Sequence, residues 1–178
     1  MANKVAILTD STCDLGKELM EKYQIDFIPL HVNFEDETYD DLVNINLEQL
    51  YQKVDEKKKL PTTSCPSPME IKTFLMKYLE QGYDVVYTGI SSKMSSTYDN
   101  FMMVQKELEQ DRVYIVDSGN LSTGIGLLLL KAAKFRDEGF SAKEIAQKLE
   151  EIVPKVKVQF VIDRLDYLYK GGRCSSVA

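Results

Sequence analysis

The sequence predicts an α/β fold, a mainly parallel sheet with helices on both faces. Three observations predict it. Short apolar runs at Lys4–Asp10, Asp84–Ile90 and Arg112–Asp117 are nearly continuous, the pattern of strands buried on both faces. Each run ends in a hydroxyl-rich turn, at Thr9–Thr12, Ser91–Thr97 and Ser118–Thr123. Apolar residues at helical spacing follow each turn, and strands alternating with helices imply βαβ units.

Composition sets the outer limits. A chain of 178 residues, 44% hydrophobic and 28% charged, suffices for one substantial domain, or for one domain and a fragment of another. A net charge of −6 argues against nucleic acid or an anionic membrane surface as the main partner. No apolar leader follows Met1, so no secretory signal is expected. The longest apolar run, Ile125–Leu130, is too short to span a bilayer, and no integral membrane association is expected. Cys13, Cys65 and Cys174 are scattered outside any CxxC pair, as reduced thiols of a cytoplasmic protein would be. With His31 the lone histidine, no zinc-ligand spacing exists.

Taken in order, Lys4–Asp10 is the first strand, and Leu15, Leu19, Met20 and Tyr23 mark a helix that Ser11 or Thr12 would cap. Ile28, Leu30, Val32 and Phe34 alternate with Pro29, His31 and Asn33 as a half-buried strand, Pro29 sitting poorly in a sheet centre. Glu35–Asp41 carries five carboxylates in seven residues and reads as a solvated hairpin or loop. Asn46 would cap a helix to about Lys59 whose buried stripe is Leu47, Leu50, Tyr51 and Val54. Ser67-Pro68-Met69-Glu70 is a capping box with proline at the first helical position; Ile71, Phe74, Leu75, Tyr78 and Leu79 form the apolar face, and Gly82 the stop. The helix from Ser122 is apolar nearly all round, either as buried core or with Gly124 and Gly126 leaving room for an apolar chain. Ser141 and Glu144 form another capping box, and Val156–Ile162 reads as a last strand.

The candidate site follows from this order. Parallel strands align their C-terminal ends, ligands of open α/β sheets bind there, and helix N-termini favour anions. Leu60–Pro68, L-P-T-T-S-C-P-S-P, adds three prolines and four hydroxyls between two helices. Thr63, Ser64 and Ser67 have no Lys or Arg beside them, a chemistry suited to holding a carboxylate by neutral donors. A cap needs one hydroxyl, and these four segments exceed that need. A nucleotide fits less well, because there is no GxxxxGK[ST] and Leu129 stands where GxGxxG needs glycine. Cys65 as a nucleophile lacks a recognisable His and Asn or Asp set.

T-D-S-T-C-D-L at 9–15, T-S-C-P-S-P at 63–68, I-S-S-K-M-S-S-T-Y at 90–98, V-D-S at 116–118 and Y-L-Y-K-G-G-R at 167–173 occur in order through the whole chain. Together they resemble the DegV family of bacterial fatty-acid-binding proteins. The resemblance implies the EDD fold, a Rossmann-like N-terminal domain over 1–154 and, from 155 to 178, the beginning of a second, lid-like domain that continues further in family members. It implies a bound long-chain fatty acid, no other cofactor, no metal, and a carrier without catalysis that presents the acyl carboxylate to a fatty acid kinase. By motif, Thr63 and Ser64 hold the carboxylate with Ser95, Ser92 being the second choice in that turn. Arg173 and Ser118 are further candidates for contact with an anion or partner; the alternative for Arg173 is a solvated side chain after a Gly-Gly turn. Lys93 and Ser96 stand where the family commonly has glycine. The competing function is a phosphoryl- or acyl-transfer enzyme using the same anion site.

Overall fold

A computed structural model describes residues 4–108, 111–162, 165–170 and 172. In chain order the elements are β1 (Lys4–Asp10), α1 (Lys17–Tyr23), β2 (Ile25–Ile28), β3 (His31–Asn33), β4 (Thr38–Asp40), α2 (Leu47–Lys57), β5 (Thr62–Ser64) and α3 (Pro68–Leu79). Then come β6 (Tyr83–Gly89), α4 (Thr97–Leu108), β7 (Val113–Asp117), α5 (Thr123–Asp137), α6 (Ala142–Ile152) and α7 (Asp166–Lys170). Two compact units result: residues 1–28 with 65–158, and residues 29–64 with 159–178.

The first unit holds a four-stranded parallel sheet in the order β2-β1-β6-β7. Alternation along each strand divides the core into two layers. Ile7, Val86 and Val116 face Ile125, Leu128 and Leu129 of α5 and Ile145 and Leu149 of α6. Ala6, Leu8, Val85 and Tyr87 face Ile71 and Leu75 of α3 and Phe101 and Val104 of α4. With helices on both faces, the strands need apolar side chains at nearly every position.

Several expectations need revision. The helix expected from Leu15 begins at Lys17, because Asp10 caps a single 3-10 turn at Ser11–Cys13 and Asp14 then turns left-handed at φ 51°. The strand expected over 28–34 is two strands in two different sheets. Pro29 lies at the break and has no N–H for a ladder. Residues 156–162 form no strand, and no described strand pairs with them; Val161 is 99% exposed. The first compact unit runs to Val158 and leaves out 29–64, whose described strands pair with one another.

The second unit is a three-stranded antiparallel sheet, β4-β3-β5, with α2 beside it. Its core is small: Val32, Phe34 and Ile45, with Tyr39, Leu50 and Val54 partly buried against them. The stripe foreseen on α2 is therefore halved, since Leu47 and Tyr51 are 66% and 61% exposed. The acidic run lies in and around the β3–β4 hairpin. Its carboxylates Glu35, Asp36 and Glu37 pair with Lys59, Lys57 and Lys53. His31 Nδ1 lies 2.9 Å from Asp40 Oδ1 across the same hairpin.

Candidate functional site

Within the first unit the strands end together, at Asp10, Ile28, Gly89 and Asp117, and the three hydroxyl-rich turns leave from that edge. Two strand-end carboxylates organise them. Asp10 is fully buried; its Oδ2 accepts from the Tyr87 hydroxyl and the Ile90 N–H, each at 2.9 Å. Its Oδ1 accepts from the Thr12 N–H at 3.0 Å and from the Thr12 hydroxyl. A buried carboxylate requires such donors, because nothing else compensates its lost hydration. Burial, reinforced by the Asp10 charge, pushes the Tyr87 phenol well above its ordinary range, so this donor stays protonated. Gly89 is what lets Asp10 sit there: a Cβ at that position would lie 2.1 Å from Asp10 Oδ2.

Asp117 does the same for the neighbouring pair of turns. It accepts from the N–H groups of Ser92 at 3.1 Å and Gly119 at 3.0 Å, and from the Ser92 hydroxyl. The Ser91 N–H donates to the Asn120 carbonyl at 3.0 Å, and the Ser122 hydroxyl donates to Asp14. The three turns are thus tied into one edge. Neither carboxylate was singled out from the sequence, although an Asp-Ser pair closes two of the strands, at 10–11 and 117–118.

These bonds sort the expected hydroxyls. A hydroxyl has one proton to give. Ser92 gives its proton to Asp117, and Ser118 gives its own to the Asn120 carbonyl at 3.1 Å while fully buried. Both protons are thus engaged inside the scaffold. Ser95 is different. It is half-buried, accepts the Thr97 N–H at 3.2 Å and shares a 2.8 Å bond with the Thr97 hydroxyl. With Thr97 as donor in that pair, the Ser95 proton is left over. Lys93 and Ser96 adopt no positive φ, so this turn forms without the conformations that favour glycine.

In the second unit Thr63 and Ser64 lie on β5, both exposed, opposite Val32 and His31. Ser64 Oγ accepts from Asn33 Nδ2 at 3.0 Å. The stretch Leu60–Pro68 therefore divides: Thr62–Ser64 is a strand, while Ser67 caps α3 in the foreseen capping box with Glu70. Cys65 lies between neutral groups, 3.5 Å from Ser96 Oγ and 3.2 Å from the Asn100 amide. Arg173 lies outside the described residues. Among the described residues no cluster of His, Cys, Asp or Glu is placed to hold a metal, and no helix is long and apolar enough to cross a membrane.

The glycines of α5, left open by the sequence, belong to the core. A Cβ on Gly126 would stand 3.1 Å from the Cys13 carbonyl and from Leu15, and one on Gly124 would stand 2.6 Å from Val158. The space beside them is filled by this chain.

A sequence model of the DegV family, described as an uncharacterised protein, matches residues 4–178. The chain belongs to the DegV family. A DegV domain-containing protein of Clostridium acetobutylicum is 42% identical over 175 residues, covering 98% of this chain and 63% of the relative. A protein of Thermotoga maritima named as a fatty acid-binding protein is 38% identical, covering 97% of this chain and 61% of its own length. The structure of a stearic acid-binding protein from Eubacterium ventriosum superposes with a TM-score of 0.87 at 29% identity, over 98% of this chain and 61% of that one. This DegV chain thus spans a little over three-fifths of the curated relatives it matches.

Proposed function

We propose that this DegV chain binds a long-chain fatty acid as a cytoplasmic carrier. The observation that carries the reading is the likeness to relatives named for fatty-acid or stearic-acid binding, on a common fold. Thr63 and Ser64 on β5 and Ser95 before α4 supply neutral donors for the carboxylate, and burial of the acyl chain supplies most of the affinity, about 0.8 kcal/mol per methylene. Neutral donors leave the head group free to be handed on, in keeping with presentation of the carboxylate to a fatty acid kinase. The proposal extends to the absence of catalysis: Cys65 meets a serine hydroxyl and an asparagine amide, neither of them a base for its thiol.

Thr63→Val and Ser95→Ala are each expected to weaken stearate binding about tenfold, the worth of one hydrogen bond to a charged group, with the fold unchanged by circular dichroism. Calorimetry on delipidated protein measures it, and unchanged affinity in both variants would remove these residues from the site. Turnover of an acyl phosphate or thioester by this chain, lost on Cys65→Ala, would instead support a transferase.

A further inference from the structure

We infer that Asn33 is a positioning residue that fixes Ser64 as a hydrogen-bond donor and so selects an ionised head group; this rests on the fatty-acid reading above. The three strands of the second unit bring one polar residue each into a chain of hydrogen bonds. The Thr38 hydroxyl on β4 donates to Asn33 Oδ1 at 3.0 Å, and Asn33 Nδ2 on the central β3 donates to Ser64 Oγ on β5 at 3.0 Å. The sheet register makes this possible. Asn33 pairs directly with Thr38 on one side and with Thr62 on the other, which leaves Ser64 at the diagonal position.

The order of donors matters. Thr38 gives its proton to the Asn33 carbonyl, which fixes the amide with its NH₂ toward β5. Ser64 then receives a hydrogen bond from that NH₂ and cannot direct its own proton at Asn33. The proton must find another acceptor, and each link polarises the next. An ionised carboxylate offers only acceptors and suits such a donor. A fatty alcohol brings a proton of its own and a weaker, uncharged acceptor, and it gains less from the relay.

Ligand–variant comparisons on delipidated protein test this, using stearate and stearyl alcohol as probes. In Asn33→Leu, which removes the amide without adding charge, stearate affinity is expected to fall about tenfold while stearyl alcohol changes less than about twofold. Thr38→Val, which frees the amide to turn over, is expected to fall between wild type and Asn33→Leu for stearate, and Asn33→Gln to recover part of the loss. Ser64→Ala combined with Asn33→Leu should be no weaker than Ser64→Ala alone, because Asn33 acts through Ser64. Stearate binding unchanged in Asn33→Leu, or an equal loss for both ligands, would overturn the relay alone. A wild-type chain that binds neither ligand would overturn the carrier reading together with the relay, whereas a Ser64→Ala variant that binds stearate as wild type does would remove Ser64, and with it the relay, while leaving the carrier reading in place.

Discussion

A single missing side-chain atom governs the strand-end network. Asp10 can accept from Tyr87 and Ile90 because Gly89 leaves its carboxylate room. Gly89→Ala would force that carboxylate aside, separate a buried charge from its donors, and displace the start of the 91–97 turn. We expect a loss of about 3 kcal/mol, from overpacking and an unsatisfied buried carboxylate together, read as a lower denaturant midpoint with an unchanged slope. Asp10 also shows why hydroxyl counting from the sequence was an incomplete guide. The turns are rich in Ser and Thr, yet Ser92 and Ser118 give their protons to Asp117 and to the Asn120 carbonyl. Ser95 differs: with Thr97, two residues along, as donor in the bond they share, its proton is left over.

Among the elements, the helices with strong local signals formed where the sequence placed them. α2, α3 and α6 all begin with reciprocal capping boxes, at Asn46/Gln49, Ser67/Glu70 and Ser141/Glu144. A cap is made by residues three apart and needs no distant partner. Ser141→Ala should cost about 1 kcal/mol and lower the thermal midpoint by a few degrees, which calorimetry would detect. The acid response of the edge strand β2 depends instead on tertiary neighbours. Burial pulls the Asp26 carboxyl upward, but hydrogen bonds from Tyr78 and from Lys77, the latter at 2.9 Å, outweigh it and hold the group below its ordinary 3.8. A carboxyl lowered by folding adds stability in full above its unfolded value and loses it as pH falls through the folded value. Stability should therefore decline on acidification below about pH 4, and Asp26→Asn should flatten that decline, as urea titrations across the acid range would show. The slope left unchanged by Asp26→Asn would remove Asp26 as a contributor.

For the whole molecule, the two units differ in how much core they own. The first encloses a sheet between two apolar layers. The second rests on Val32, Phe34 and Ile45, with much of α2 outward. Local stability follows buried contact, so hydrogen exchange should be slowest in β1 and β6, which have neighbours on both sides, and faster throughout β3–β5. Equal protection in the two sheets would contradict this. The small core also explains why this unit was hard to read. Three-residue strands carry too little alternation to be distinguished from loop, and the run from Ile28 to Phe34 looked like one strand.

Near-neighbour chemistry in the sequence alone determined the parallel sheet, its helical cover, the caps of α2, α3 and α6 and the placing of hydroxyl-rich turns at strand ends. Continuous apolar runs and capping boxes work over a few residues and leave their mark in any short window. Tertiary structure alone decided that Ser92 meets Asp117, that the glycines of α5 serve packing against Cys13, Leu15 and Val158, and that Asn33 meets Ser64. The physical reason is that a hydrogen bond is settled by whichever partner arrives. Here the partners are far apart in the chain, as Asp10 and Ile90 are by 80 positions, and only the folded sheet brings them within reach.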